Sequence, residues 1–160
     1  MPTEAEWEYA ARGGLEQQRY AWGALKEPNG DVMASIWKDQ TGSFPQAQPK
    51  ILPGTEPVAS YESNGYGLFD MAGNAWQWTA DWYRYDAFGM QARLKHVSNP
   101  KGSFDLDGLR SDAPKRVIRG GSFLCNEDYC EGYRVSARQG QAPWSASNNV
   151  GFRLVMDRGR

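Results

Sequence analysis

The amino-terminal stretch combines an apolar helical stripe with signals that start and stop a helix. Three apolar residues recur at helical spacing: Trp7, Ala10 and Ala11. Thr3 and Glu6 have the spacing of a capping box, in which each side chain accepts a hydrogen bond from the other residue's backbone amide. Gly13 follows as a stop that tolerates left-handed backbone. The pattern predicts a helix over residues 4–12.

Strand-like patterns are short and widely separated. Residues 75–82 alternate large rings with small or polar side chains, which is typical of a half-buried strand. Three further strand candidates follow: 116–124, with a glycine break, 133–138 and 150–155. Frequent prolines and glycines over 21–57, and polar turn-forming residues over 84–115, predict long loops. We therefore expect one α+β domain over residues 1–160, loop-rich and poor in strands.

Charge and cysteine content exclude several function classes. The 18 lysines and arginines balance 19 aspartates and glutamates, which argues against a nucleic-acid partner. No apolar run approaches the roughly 20 residues that span a bilayer, and no signal peptide is recognisable, so we expect a cytoplasmic protein. Two cysteines and a single histidine, His96, are too few for a zinc site or a disulfide-rich scaffold.

Four sequence landmarks occur in a fixed order along nearly the whole chain. They are PTEAEWEYAARGG at 2–14, NGYGLFDMAGNAWQWTADWY at 64–83, RVIRGGSFL at 116–124 and NNVGFRLV at 148–155. This order resembles the formylglycine-generating enzyme (sulfatase-modifying factor) family, whose fold is a decorated variant of the C-type-lectin-like fold. The resemblance implies that the chain is the C-terminal portion of the family domain. Family members carry a further portion before the helix motif, and Met1 occupies the place of an apolar residue there.

The oxidase branch of this family is marked by a Cys-x4-Cys pair directly after GGSF, and Cys125 and Cys130 match it. The resemblance implies that their thiolates hold Cu(I), a soft cation that prefers sulfur. It also implies the substrate, an unfolded sulfatase segment of the type Cys-x-Pro-x-Arg. Its cysteine is converted with O2 to Cα-formylglycine. Considered without the resemblance, the same spacing favours a structural disulfide or two inert buried thiols.

The acidic residues Glu127, Asp128 and Glu131 surround the cysteine pair. Negative charge raises the pKa of a nearby thiol, which opposes thiolate formation. The same charge could attract the arginine of the substrate. We expect the two cysteine Cα atoms to lie within roughly 7 Å, the reach of a disulfide or a shared metal ion.

Further site residues follow from the resemblance, each with a plainer alternative. Ser122 matches a serine beside the copper site, where it could orient oxygen or the thiol; it could equally be a turn serine. Trp76 and Tyr129 match rings that line the family's substrate cleft, although core packing is the usual role of such rings. Asn149 matches an asparagine that contacts the substrate backbone, or is a turn residue. We expect Arg134, Arg138 and Arg153 to buttress the fold.

Two calcium sites of the family map onto this chain with altered ligands. At the first, the resemblance implies the Asp70 side chain, the Gly73 and Ala75 carbonyls and the side chain of Gln77. Gln77 stands where the family has a carboxylate, so we expect a weakened site. At the second, Ser35 replaces an asparagine and a position near Lys50 replaces an aspartate. Because lysine does not ligate calcium, we expect the second site to be absent.

Two functions from different classes remain in view. The first is a monomeric copper-dependent oxidase acting on unfolded sulfatase, without a nucleic-acid or membrane partner. The second is a non-catalytic ligand-binding module on the same scaffold, as in the variable proteins of diversity-generating retroelements, or an inactive truncated homologue. Iron-dependent sulfoxide synthases on this scaffold need a histidine cluster, so a chain with a single histidine is a poor candidate for that activity. If the domain is incomplete, five rings should stay partly exposed: Trp7, Trp22, Phe69, Trp78 and Trp82.

Overall fold

The computed structural model describes residues 1–37, 54–94, 97–98, 100 and 114–156. In chain order the elements are helix α1 (Glu4–Arg12), a 3-10 turn (Pro28–Gly30), strand β1 (Trp76–Trp82), helix α2 (Ala87–Gln91), and strands β2 (Arg116–Arg119), β3 (Arg138–Gln141) and β4 (Val150–Phe152). The α+β, loop-rich prediction is confirmed. No helix within these ranges is long and apolar enough to cross a membrane.

Helix α1 begins and ends at the residues that the sequence predicts. The Thr3 hydroxyl accepts from the Glu6 amide at 3.2 Å, and the Glu6 carboxylate accepts from the Thr3 amide at 2.8 Å, so both halves of the capping box are present. Gly13 closes the helix at φ 57°, and its amide donates to the Ala10 carbonyl. These local signals fix the helix without reference to the rest of the fold.

The four strands form one mixed sheet in the order β3-β2-β1-β4. Strand β1 is antiparallel to β2 and parallel to β4, and β2 is antiparallel to β3. The predicted strand at 75–82 is confirmed as β1. The candidates at 116–124 and 150–155 are confirmed over shorter spans, since β2 stops before Gly120 and β4 after Phe152.

Strand β1 buries polar side chains rather than rings on one of its faces. Gln77, Thr79 and Asp81 are buried, whereas Trp78 and Trp82 on the other face are half-buried. Each buried polar group has a hydrogen-bond partner: Gln77 bonds Trp7, the Thr79 hydroxyl donates to the Val117 carbonyl, and Asp81 accepts from the Glu4 amide. A polar face can be buried because its hydrogen bonds are satisfied.

A buried ionic cluster holds α1 on the sheet. Arg119 of β2 is fully buried and donates to Glu4 Oε1 at 2.9 Å and to the Glu8 carboxylate. Arg138 of β3 donates to both oxygens of Glu4 at 2.7 Å. Glu4 thus sits between two guanidinium groups and Glu8 contacts Arg119, so the buttressing role expected for Arg138 is the one that the contacts show.

Two apolar clusters of buried residues form the core. The first contains Tyr20, Ala34, Ala72, Trp76, Ile118, Cys125 and Tyr133. The second contains Trp7, Ala11, Ala21, Met71 and Val135. In the first cluster the Tyr20 ring stacks between Trp22, at 5.2 Å, and Tyr133, at 6.0 Å between centroids. The first cluster therefore places the predicted cysteine loop directly against the core.

Several expectations are corrected by the structure. The strand predicted at 133–138 is wrong: residues 133–136 form turns, and the strand begins only at Arg138. Helix α2 was not predicted. The ring of Trp7 is 1% exposed rather than partly open, because it packs in the core and donates from Nε1 to Gln77 at 2.8 Å. Phe69 is 42% exposed, and Trp22, Trp78 and Trp82 are half-buried, as expected.

Candidate functional site

The cysteine pair occupies a short loop between β2 and β3. Cys125 and Cys130 form a disulfide with their Cα atoms 4.9 Å apart, within the expected 7 Å. The Cys125 amide donates to the Ser122 carbonyl at 2.9 Å, and the Cys130 amide donates to the Asn126 carbonyl at 2.9 Å. The Asn126 side chain caps this turn by accepting from the Tyr129 amide at 2.9 Å. Two turns in succession thus bring the two sulfurs together.

Glycines let the cysteine loop approach the start of β1. A Cβ on Gly132 would lie 2.3 Å from Cη2 of Trp76, and Gly121 has φ 72° with its would-be Cβ 2.6 Å from the Tyr133 backbone nitrogen. Larger residues at these two positions would push the Trp76 ring and the loop apart. The glycines are therefore part of what seats Trp76 beside the cysteine pair.

A hydrogen-bonded chain joins the serine of GGSF to the start of β4. The Asn149 side chain donates from Nδ2 to Ser122 Oγ at 3.0 Å, and its Oδ1 accepts from the Ser147 hydroxyl. Ser122 is fully buried, and its oxygen also accepts from the Leu124 amide at 3.3 Å. The Asn149 carbonyl in turn accepts from the Trp76 amide at 2.8 Å. Two residues that lie 27 positions apart in sequence are thereby in direct contact.

One cleft of about 550 Å³ brings all the predicted catalytic and substrate-contacting residues together. The predicted residues that line it are Trp76, Ser122, Cys125, Tyr129, Cys130 and Asn149. Of these residues, Cys125 is only 2% exposed, whereas Tyr129 is 72% exposed. Four other lining residues were not predicted from the sequence: Leu124, Gly132, Ala137 and Gln139. Glu131 was expected only as part of the acidic surround, and Arg134 and Arg138 only as buttresses. Their closeness in sequence to Cys130 was the available signal.

Positive side chains offset part of the acidic surround of the cysteine pair. Lys26 Nζ lies 3.2 Å from Glu127 Oε2. Glu131 pairs with Arg19 and, at 3.1 Å, with Arg134 Nε. Two of the three acidic residues therefore have cationic partners, which weakens the effect on the thiols expected from sequence.

A buried phenol lies in the core cluster that contains Cys125. Tyr133 is 1% exposed, and burial is the main cause that raises the pKa of its hydroxyl, with negative charge on its neighbours as a smaller cause. The phenol therefore stays neutral at physiological pH, and it adds no charge beside the cysteine pair.

The donor set at the cleft fits Cu(I). Two sulfurs on one loop, close enough to bond to each other, become two soft thiolate donors when the disulfide is reduced. Among the described residues, no group of three or more His, Cys, Asp or Glu side chains is placed to hold a metal ion.

The loop of the first calcium prediction does not fit a calcium ion in the same way. Gln77 Oε1 already accepts from Trp7 Nε1 at 2.8 Å and from Arg153 Nε at 2.6 Å. The Asp70 carboxylate accepts from the Ala59 amide at 2.9 Å. Gly73 and Ala75 lie in the same loop, and the Gly73 amide donates to the Gly120 carbonyl at 2.7 Å. Gln77 Oε1 and one oxygen of the Asp70 carboxylate are thus engaged by protein donors.

The second calcium prediction can be followed at one of its two positions. Ser35 is buried, and its carbonyl accepts from the Asn74 amide at 2.7 Å. Lys50 lies outside the described residues, as does His96. The absence of this second site stays a prediction.

Comparison with known protein families gives a match over almost the full chain. A family described as the sulfatase-modifying factor enzyme 1-like domain matches residues 1–158. A formylglycine-generating enzyme from Thermomonospora curvata is 42% identical over 159 residues, covering 98% of this chain and 49% of that protein. An inactive Cα-formylglycine-generating enzyme 2 from Bos taurus is 35% identical over 165 residues, covering all of this chain and 44% of that protein. The chain thus spans about half the length of the curated relatives it matches.

Solved structures support the same fold. Treponema denticola variable protein 1 superposes with a TM-score of 0.64 at 27% identity, over 95% of this chain and 45% of that one. The predicted fold is therefore confirmed.

Proposed function

Because this chain belongs to the sulfatase-modifying factor enzyme family, we propose that it carries the cysteine-pair site of a formylglycine-generating oxidase. The substrate is a cysteine in an unfolded Cys-x-Pro-x-Arg segment of a sulfatase. The product is Cα-formylglycine, the cofactor is Cu(I), and the oxidant is O2.

The observation that carries this proposal is the convergence at one cleft. Ser122, Cys125 and Cys130 lie in one short segment of the chain. Asn149 comes from a separate part of the chain and meets them at the cleft. A purely structural disulfide needs neither an adjoining cleft of about 550 Å³ nor a hydrogen-bonded serine at its base.

Each residue has a role that follows from its contacts. The two thiolates hold the metal, and Cu(I) when bound supplies the activation of O2 for oxidation of the substrate thiol. The Ser122 oxygen already accepts from Asn149 and the Leu124 amide, so the hydroxyl proton is the hydrogen-bonding group it has left to offer a bound group. The exposed Tyr129 ring provides an apolar surface for the substrate backbone at the cleft rim.

The overall exchange balances when a reductant takes part. At the substrate Cβ, one C–H and the C–S bond break, and a C=O bond forms with oxygen from water. Sulfur leaves as hydrogen sulfide, and this half-reaction releases two protons and two electrons. Reduction of O2 to two water molecules takes four protons and four electrons. The other two of each come from two external thiol groups that join in a disulfide, and the same reductant keeps Cys125 and Cys130 reduced.

Peptide conversion tests this function. The 1–160 chain is loaded with Cu(I), mixed with a Cys-x-Pro-x-Arg peptide, O2 and a thiol, and the aldehyde is detected by mass spectrometry. We expect product that is lost in Cys125→Ser and in Cys130→Ser, and strongly reduced in Ser122→Ala. Ser60→Ala is the matched serine control, since the Ser60 hydroxyl donates to the local Pro57 carbonyl and Ser60 does not line the cleft. Conversion at the parent rate by either cysteine variant would refute the assignment.

A ligand-binding module on the same scaffold is the second candidate. It is supported by the likeness to Treponema denticola variable protein 1 and by the relatives named as inactive enzymes. This reading predicts that the parent binds the peptide and forms no aldehyde. It also predicts that Cys125→Ser binds the peptide as tightly as the parent does.

A further inference from the structure

Arg153 reaches from the end of β4 into the loop that connects Phe69 to Gln77. Its Nε donates to Gln77 Oε1 at 2.6 Å, and its NH2 group donates to the Asp70 carbonyl at 2.9 Å and to the Phe69 carbonyl. One guanidinium thus gathers three oxygens from both ends of the loop, which is the geometric task of a bound cation in such a loop.

The orientation of the Gln77 amide is fixed by its other contacts. Nε2 donates to the Asp70 carbonyl at 2.7 Å, while Oε1 accepts from Trp7 Nε1 at 2.8 Å as well as from Arg153. The Asp70 carbonyl therefore accepts from two donors, Gln77 and Arg153. A calcium ion placed among these oxygens would have to displace hydrogen atoms already pointed at them.

Charge favours the guanidinium over a divalent ion at this place. Gln77 contributes a neutral oxygen, and the Asp70 carboxylate is turned to the Ala59 amide at 2.9 Å. Asp70 is also the neighbour whose charge raises the pKa of Arg153, against a larger lowering by burial. A partly buried cation with one carboxylate near it leaves no net negative charge to attract a second cation.

We propose that Arg153 takes the place of a calcium ion in this chain: it cross-links the Phe69–Gln77 loop, and the loop takes up no calcium. The inference is independent of the oxidase proposal, because Asp70, Gln77 and Arg153 do not line the cysteine cleft. It reverses the expectation of a weakened calcium site at Asp70, Gly73, Ala75 and Gln77.

Thermal unfolding of the 1–160 chain in millimolar CaCl2 and in EDTA tests the first half of the proposal. We expect one Tm in both buffers, and no heat on titrating the folded chain with CaCl2. A Tm that rises with calcium in the parent would overturn the proposal, and this arm needs no variant.

The variants test the second half. Arg153→Met should lower Tm clearly more than Arg12→Met, the matched loss of an arginine that pairs with Glu8 on the surface of α1. In the double variant Arg153→Met with Gln77→Glu, the resident cation is gone and a carboxylate is added, so calcium should raise Tm by about 5–10 °C at a hundredfold excess over Kd. Equal Tm values for the two single variants, or a folded double variant indifferent to calcium, would overturn the cross-linking role.

If the double variant does not fold, Arg153→Lys replaces it. A lysine cannot span three oxygens, so a Tm of Arg153→Lys equal to the parent's would contradict the proposal.

Discussion

The carboxylate of Asp81 lies on the buried face of β1 below the start of α1. It is 3% exposed and accepts a hydrogen bond from the Glu4 amide. Burial is the largest cause acting on its pKa, which is raised; the Glu4 amide opposes the shift, and the Glu4 charge adds to it. The fold therefore favours the neutral acid over the carboxylate.

We expect Asp81→Asn to be more stable than the parent at pH 7. Because the pKa is higher in the folded chain than the usual value of about 3.9, the parent loses stability as pH rises through the folded pKa, and the variant does not. The gap in the free energy of unfolding should close as the pH falls below about 4. Urea unfolding from pH 3 to 8 measures it.

Asp86→Asn is the matched control, and it should change the free energy of unfolding in the opposite direction. The hydrogen bond from Arg84 is the main cause that lowers the pKa of Asp86, so its carboxylate stabilises the fold at pH 7. The Asp86→Asn variant should be the less stable one at pH 7, with a gap that also closes in acid. If the difference in free energy of unfolding between Asp81→Asn and the parent did not change with pH, the burial argument would be contradicted.

The identities of the cleft residues were predictable, but their contacts were not. Cys125, Cys130 and Ser122 stand in one short motif, so sequence spacing alone places them together. The bond from Asn149 to Ser122 depends on the parallel pairing of β4 with β1. Likewise nothing local in the sequence assigns the Gln77 oxygen to Trp7 and Arg153, because both partners lie more than 60 positions away.

At the scale of elements, Arg119 is the main link between α1 and the sheet. Its guanidinium is fully buried, and burial lowers its pKa while the charges of Glu4 and Glu8 raise it. It also donates to the Val135 carbonyl at 2.7 Å. The helix, β2 and the turn before β3 thus share one cation.

Removing this cation should be far more damaging than removing a surface one. Arg119→Met leaves Glu4 and Glu8 without their buried partner, and breaking a buried pair costs about 3–5 kcal/mol. Arg12→Met removes a helix-surface pair with the same Glu8, which is worth about 0.3–0.5 kcal/mol. Chemical denaturation of both variants gives the comparison. Equal losses would contradict the role of Arg119 as the main link between α1 and the sheet.

Helix α1, which is defined by local signals, was predicted at both ends, whereas strand β3, which is defined by its pairing, was not. Helix α1 has both caps within its own sequence. Strand β3 has the sequence RQGQ, which has no strand pattern and is extended because it pairs with β2. The apolar residues Tyr133 and Val135 suggested a strand, but they pack into two separate core clusters from a turn.

At the scale of the whole molecule, the chain matches about half of each relative's length and leaves apolar side chains open to solvent. Phe152 of the edge strand β4 is 65% exposed, and Leu154 and Met156 beyond it are 81% and 82% exposed. The proposed activity on a sulfatase peptide depends on every contact in the cleft. Metal binding at the cysteine pair depends only on one loop, and it is the more direct test of the site.

The decisive measurement is therefore a Cu(I) titration of the reduced 1–160 chain, without oxygen, against a competing chromogenic chelator. The account predicts one tightly bound Cu(I) per chain, lost in both Cys125→Ser and Cys130→Ser. Met156→Leu, which removes an exposed thioether, should bind like the parent. Failure of the folded, reduced parent to take up one Cu(I), or unchanged uptake in either cysteine variant, would contradict the assignment of the pair as a copper site.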